Sequence, residues 1–158
     1  MKPTTKIIKR YPKMIDYIPV QLRSNNGCEL ADYYSIRKGK RSLLELTFDQ
    51  ANSLIHRITL LLCENFYRLD EMYQLPESYE VGDVLIDFPG EIETSLFFCT
   101  MYKNAVKITV ADYPCNLRIL SENIVWELSD TGVLISLCII DSSAKVVEHC
   151  YQELSSGS

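Results

Sequence analysis

Short loops between apolar segments are the feature that most constrains how this chain folds. Parallel strands need a crossover of a dozen or more residues, whereas antiparallel strands are joined by short hairpins. Three such loops join pairs of predicted strands: 37–41 between 29–36 and 42–47, 103–104 between 94–102 and 105–111, and 129–132 between 123–128 and 133–140. The spacing predicts antiparallel hairpins and argues against a doubly wound parallel sheet.

Two further strands and one central strand follow from local patterns. Residues 84–88 form a short apolar run that ends at the turn pair Pro89-Gly90, and residues 117–120 form another. Nearly every residue of the segment 133–140 is apolar. Strands that are buried on both faces have such nearly continuous apolar sequences, so we expect this segment at the centre of a sheet.

The segment 48–74 has the spacing of a long helix. Thr47 and Gln50 form a capping box, and Pro76 follows as a stop. The apolar positions recur in steps of three and four, as in a helix that packs on a sheet. They are Phe48, Ala51, Leu54, Ile55, Ile58, Leu61, Leu62, Phe66, Leu69, Met72 and Tyr73.

The C-terminal segment has two interpretations. An apolar stripe with Ser142 or Ser143 as its cap favours a helix over residues 144–154, while a strand over 145–151 is the alternative. The predicted fold is α+β, a single domain over 21–154 with an antiparallel, meander-rich sheet and one long helix packed on one face. Residues 1–20 are a basic N-terminal arm whose order the sequence leaves open, and 155–158 are a disordered tail.

Charge is unevenly distributed along the chain, whose net charge is −5. Residues 1–41 contain ten Lys/Arg and three acids, and the remainder contains six Lys/Arg and 18 acids. The acids are densest over 64–93, with nine acids against Arg68 alone. Acidic blocks of this kind steer association with a basic partner, although they can also be plain solvated surface.

The cysteines and the N-terminal residues predict a cytoplasmic protein. No two of the six cysteines are close enough for a Cys-x-x-Cys pair, so we expect free thiols. The first residues are basic but are not followed by the apolar run of a secretory signal. The longest apolar runs span four residues, and a membrane helix needs roughly 20, so no membrane partner is expected.

The sequence offers little for catalysis or for a cofactor. Its two histidines, His56 and His149, have no evident nucleophile partner, and its cysteines lack zinc-ligand spacing. Its six glycines form no phosphate-binding loop. Asp83 and Asp87 on one strand would lie about 13 Å apart, too far to share an ion. We therefore expect that the protein is not an enzyme and that it has no catalytic residue, no metal site and no cofactor.

Nucleic-acid binding by the basic arm is a weaker hypothesis. The arm combines several Lys/Arg with Tyr11 and Tyr17, which could stack on bases. The acidic bulk of the chain would repel a phosphate backbone. We therefore expect no direct contact with nucleic acid and interpret the arm as a solubilising terminus.

An acidic, tyrosine-rich chain without an active site suits an inhibitor of a basic protein. Carboxylates can occupy the positions where phosphates would bind, and tyrosines supply contact area at low entropy cost. The leading hypothesis is an immunity or antidote protein that neutralises a basic, nuclease-type toxin by 1:1 binding. The alternatives are a small acidic secretion-type chaperone and an enzyme with an unrecognised site. The predicted partner-binding residues are Asp70, Glu71, Glu77, Tyr79, Glu80, Asp83, Asp87, Glu91 and Glu93.

Overall fold

Strands dominate the computed structural model, which describes residues 1–157 and contains one helix, α1 (Ala144–Ser156). In chain order the strands are β1 (Lys2–Thr4), β2 (Tyr11–Pro12), β3 (Val20–Arg23), β4 (Ala31–Lys38), β5 (Ser42–Asp49), β6 (Ile55–Leu62), β7 (Phe66–Arg68), β8 (Glu80–Val81), β9 (Asp83–Leu85), β10 (Gly90–Glu93), β11 (Phe98–Met101), β12 (Val106–Thr109), β13 (Leu117–Ser121), β14 (Ile124–Leu128) and β15 (Leu134–Ile139).

Two large sheets pack face to face around one core. The six-stranded sheet has the order β10-β4-β5-β6-β3-β2, and the seven-stranded sheet has the order β7-β11-β12-β15-β14-β13-β8. A two-stranded sheet pairs β1 with β9. Leu46 and Ile58 of the first sheet share one buried cluster with Trp126 and Leu137 of the second. The outer faces of the two large sheets therefore point to opposite sides of the domain.

The predicted hairpins are confirmed. β4 and β5 pair antiparallel across the turn at Gly39, whose φ of 59° lies in the left-handed region that glycine adopts readily. β11 pairs with β12 and β14 with β15, both antiparallel. β15 is the central strand of its sheet, and all six of its residues are buried, as its almost entirely apolar sequence predicts.

The arrangement of the sheets differs from the prediction. The fold is α+β, but it contains three sheets among the described residues rather than one antiparallel meander. β10 with β4, β7 with β11, and β8 with β13 are parallel pairs at sheet edges. In each of these pairs the two strands are far apart in the sequence. The short hairpin loops give no information about such long-range pairing.

The prediction of a long helix over 48–74 is wrong. That segment contains the end of β5, all of β6 and all of β7. The carboxylate of Asp49 accepts a hydrogen bond from the N–H of Ala51 (2.8 Å), and the Asn52 side chain accepts one from the N–H of Leu54 (3.0 Å). With Ser53 at a φ of 63°, these side chains build a tight turn where the helix was expected to begin.

The C-terminal helix is confirmed, and the alternative strand is excluded. The Ser143 side chain accepts a hydrogen bond from the N–H of Val146 and caps α1. The buried stripe of α1 includes Cys150 and Leu154, which join the core shared by the sheets. The predicted tail begins inside this helix, and Ser158 lies outside the described residues.

The N-terminal arm contributes to the fold at several points. β1 pairs with β9, and β2 pairs with β3 at one edge of the six-stranded sheet. Between these two strands Ile8 and Arg10 are buried. The arm therefore carries both sheet-forming and core residues.

Candidate protein-binding surface

An eleven-residue segment crosses the outer face of the seven-stranded sheet. β7 and β8 are the two edge strands of that sheet, and residues 69–79, here called the crossing segment, connect them. Seven strands span roughly 29 Å at about 4.8 Å per interval. The twelve steps from Arg68 to Glu80 can reach about 40 Å at ~3.3 Å each, so a nearly extended segment covers the width.

Contacts with the sheet hold the crossing segment in place. The N–H of Leu69 donates to the carbonyl of Met101 (2.8 Å), and the N–H of Tyr73 donates to the Asn104 side chain (2.8 Å). The ring of Tyr73 meets that of Tyr102 edge to face at 5.3 Å. Burial is the largest of the effects that raise the pKa of the Tyr73 hydroxyl.

A second, smaller apolar cluster lies beneath the crossing segment. Ala105, Val125, Cys138 and Ile140 are buried there, with Tyr73 packed against them. Val125 and Cys138 alternate along their strands with residues of the main core, so this cluster lies on the outer face of the sheet. The crossing segment thus has a buried anchor at Tyr73.

The outward side of the crossing segment combines exposed apolar and acidic side chains. Leu69, Met72, Leu75 and Tyr79 are between 36% and 53% exposed. The acids among and beside them are exposed as well: Asp70, Glu71, Glu77 and, at the start of β8, Glu80. Exposed apolar side chains that are rimmed by polar residues mark protein-binding surfaces.

Five of the nine predicted partner-binding residues belong to this region. Asp70, Glu71, Glu77 and Tyr79 are in the crossing segment, and Glu80 follows it. The Asp70 carboxylate lies 3.3 Å from Nζ of Lys103, and its side chain is still 96% exposed. The other four predicted residues lie elsewhere.

Glu91 and Glu93 are on β10, at the edge of the other sheet. Glu91 pairs with Arg37 at 2.9 Å, and Glu93 accepts a hydrogen bond from the N–H of Gly39 at 2.7 Å. Asp87 follows β9 and pairs with Lys2 at 2.8 Å. These three carboxylates therefore have local partners and do not continue the surface of the crossing segment.

Asp83 is buried, so it is not part of any accessible acidic surface. Its carboxylate accepts hydrogen bonds from Nη2 of Arg10 (2.8 Å) and from the N–H of Ile8 (3.2 Å). Both side chains of the Arg10–Asp83 pair are fully buried, and the Arg10 guanidinium also donates to the carbonyl of Ile55. The sequence placed Asp83 on a surface because it lies within an acidic block, which carries no information on burial.

A cleft of about 500 Å³ separates part of the crossing segment from the sheet. On its floor the Glu127 carboxylate accepts hydrogen bonds from Arg118 (3.0 Å) and Ser136 (2.7 Å) and lies 3.3 Å from Nζ of Lys107. Burial alone would raise the pKa of Glu127, but these three partners outweigh it and lower the pKa. Glu127 is therefore ionised, and its charge is balanced within the sheet.

The histidines have structural partners. Nδ1 of His56 is 2.8 Å from the Ser24 hydroxyl, and Nε2 of His149 is about 3 Å from the carbonyl oxygens of Ile15 and Ile18. Within residues 1–157, no three His, Cys, Asp or Glu side chains are grouped so that they could hold a metal ion. The single helix in this range is too short and too polar to cross a bilayer.

Leu69, Met72 and Leu75 are exposed residues of this surface that the sequence does not predict. Leu69 and Met72 fit the apolar stripe of the expected long helix, which would bury them. The signal against that assignment is the cluster of polar and turn residues that follows, with Pro76 and Ser78.

No protein-family model matches the chain, and a search of the curated proteins finds no significant match.

Proposed function

We propose that this protein is a non-enzymatic inhibitor that binds a basic protein in a 1:1 complex through the crossing segment. The partner class that fits best is a nuclease-type toxin, and the protein is then its immunity or antidote protein in the cytoplasm. The observation that carries the proposal is the exposed row of apolar and acidic side chains on a segment fixed to a sheet.

The chemistry of this surface suits a basic partner. Glu71, Glu77 and Glu80 are exposed, and none of them takes part in an ion pair within the described residues. Free carboxylates attract Lys and Arg side chains, while Met72 and Leu75 offer apolar contact for the long stems of those side chains. Anchoring by Tyr73 lowers the entropy lost when the partner binds.

The chaperone alternative is less well supported by the sheet edges. A chaperone that adds a strand to its sheet needs a long, open edge. The edge strands β2, β7, β8 and β10 are two to four residues long, and β8 and β10 carry glutamates. Short, charged strands are the usual protection against strand addition.

The test is protection against the product of the neighbouring reading frame in the cell. That product is expressed alone and together with this chain, and growth, complex formation and stoichiometry are measured. The triple variant Glu71→Lys, Glu77→Lys and Glu80→Lys should fold normally and lose protection. Asp112→Lys, which reverses an exposed acid outside the crossing segment, is the control and should protect like the wild type.

Two results would contradict the proposal at different levels. Full protection by the triple variant would show that the crossing segment is not the contact surface. A wild-type chain that neither relieves growth inhibition nor forms a complex with a basic product would refute the inhibitor function itself.

A further inference from the structure

The outer face of the six-stranded sheet carries a cross-strand row of arginine and tyrosine. Tyr11 on β2 is opposite Arg23 on β3, which is opposite Arg57 on β6. Thr47 on β5 links Arg57 to Tyr33 on β4. Residues directly opposite each other point to the same side of a sheet. The adjacent row contains Leu22, Ile58 and Leu46 and faces the core, so the arginine–tyrosine row faces outward.

None of the cations of this row is paired with an acid among residues 1–157. Arg23 donates to the side-chain oxygen of Gln21, and Arg57 donates to the Thr47 hydroxyl at 3.4 Å. Lys13 directly follows β2, and its N–H donates to the carbonyl of Gln21 on β3. It therefore adds a third cation beside Arg23. Over residues 1–157, none of Lys13, Arg23 and Arg57 forms an ion pair. Like charges opposite each other destabilise a sheet, so the pair Arg23–Arg57 costs stability.

The tyrosines at the ends of the row are accessible. Tyr11 is 39% exposed and Tyr33 is 44% exposed, while Arg23 is exposed and Arg57 half-buried. The two tyrosines are four strands apart, which is about 19 Å at ~4.8 Å per interval.

The acids of this outer face are on β5 and β10. Glu45 is in the row next to Thr47 and diagonal to Arg57, while at the β10 edge Glu91 is paired with Arg37 and Glu93 accepts a hydrogen bond from the N–H of Gly39. Asp49 is buried, and its carboxylate accepts the N–H of Ala51. The basic half of the face is therefore formed by β3, β6 and Lys13, which directly follows β2.

We propose that this basic face, made of Lys13, Arg23 and Arg57 between Tyr11 and Tyr33, binds single-stranded nucleic acid. Unpaired arginines recognise phosphate through their planar forks, and tyrosine rings stack on bases without sequence preference. An acidic peptide would use the charges but would have no need of two stacking groups. The acidic crossing segment is on the opposite outer face of the domain, so it does not stand between a phosphate backbone and these cations.

The fold rearranges the charges on which the expectation of no nucleic-acid contact depends. Along the sequence, the acidic bulk of the chain opposes one basic arm. In the structure Arg10 of that arm is buried against Asp83 and Lys2 is paired with Asp87, while Tyr11 and Lys13 join Arg23 on one sheet. The cations of the proposed face are thus Arg23 on β3, Arg57 on β6 and Lys13, which directly follows β2.

The test is fluorescence anisotropy with a fluorescein-labelled twelve-nucleotide oligo(dT), titrated with the full chain at several salt concentrations. Three phosphate contacts predict a slope of log affinity against log salt of about −2, since single strands contribute about −0.7 per contact. Arg23→Gln with Arg57→Gln should reduce the slope to about −0.7 and lower the affinity roughly tenfold or more at low salt. Tyr33→Ala should lower affinity about tenfold with the slope unchanged, because it removes stacking and no charge.

The matched control is Lys6→Gln with Lys145→Gln, which removes the same charge at exposed positions outside the six-stranded sheet. It should leave the slope near −2. Arg23→Gln alone, at an exposed position, serves if the double variant does not fold, and should reduce the slope by about 0.7.

Three outcomes would overturn the proposal. The first is that the wild-type chain does not bind oligo(dT) at low salt. The second is that the arginine and the lysine double variants lose affinity for oligo(dT) equally. The third is that the wild-type chain binds a labelled octaglutamate peptide as tightly as it binds oligo(dT). The last would show that the face selects an acidic chain.

Discussion

Removing the carboxylate of Asp83 should destabilise the domain far more than removing any surface acid. The substitution Asp83→Ala leaves the Arg10 guanidinium in the core without its counter-charge and leaves the N–H of Ile8 without its acceptor. Breaking a buried, hydrogen-bonded ion pair by removing one partner costs about 3–5 kcal/mol. A domain of this size has a free energy of unfolding of roughly 5–15 kcal/mol, so the loss is a large part of the total.

Urea denaturation followed by tryptophan fluorescence measures this loss directly. Trp126, the single tryptophan, is fully buried, and the Arg10 guanidinium lies 5.7 Å from the centroid of its ring. With a denaturant slope of about 2 kcal/mol/M, the midpoint should fall by roughly 1.5–2.5 M urea. The double variant Arg10→Met with Asp83→Ala should be less destabilised than the sum of the two single variants, because no unpaired charge remains.

Asp87→Ala is the matched control, since Asp87 pairs with Lys2 at the surface only two residues after β9. Its midpoint should stay close to that of the wild type, because exposed ion pairs contribute little. If Asp83→Ala and Asp87→Ala gave the same midpoint, the buried pair would have no special role, and the reasoning from burial would be refuted.

Three further predictions concern the core, a histidine and the cysteines. Ile58→Asp should unfold the domain, because Ile58 is fully buried on β6. Leu61→Asp should lower the melting temperature less, because Leu61 is only half-buried, and equal melting temperatures of the two variants would contradict this. The pKa of His56 is lowered, mainly by burial, so the unfolded state takes up a proton first as pH falls. Stability should therefore decline from about pH 8 toward about pH 5, and His56→Gln should flatten that slope; an unchanged slope would refute it. All six cysteines have free thiols, so reductant should leave the melting temperature unchanged, and a drop would reveal a bridge.

Local chemistry explains which elements the sequence could predict. The hairpin at Gly39 and the cap at Ser143 depend on neighbouring residues, so their patterns are sufficient. The segment 48–74 is different, because β6 pairs on its two sides with β5 and β3, which lie outside the local pattern. The apolar residues of this segment also fit the stripe of a helix, so their spacing alone does not distinguish a strand from a helix. The turn built by Asp49 and Asn52 decides between the two, and it outweighs the capping pattern of Thr47.

The candidate surface could be predicted only in part for a related reason. Glu71, Glu77 and Tyr79 are neighbours in sequence and remain on one exposed segment. Asp83 is buried and Asp87 is at the surface, and this difference depends on residues more than seventy positions away, such as Arg10, which pairs with Asp83, and Lys2, which pairs with Asp87. A list of nearby charges contains no information about such distant partners, so it could not separate a buried ion pair from a surface one.

The pairing of β1 with β9 also has a consequence for the timing of folding. Arg10 can meet Asp83 only after 73 further residues have been synthesised, and the parallel pairing of β10 with β4 joins Gly90 to Tyr34, which is 56 positions earlier. Folds dominated by such long-range contacts form in milliseconds to seconds, more slowly than local helical folds. During translation the first sixty residues must therefore wait, without their ion pair or their full core, for the second half of the chain to leave the ribosome.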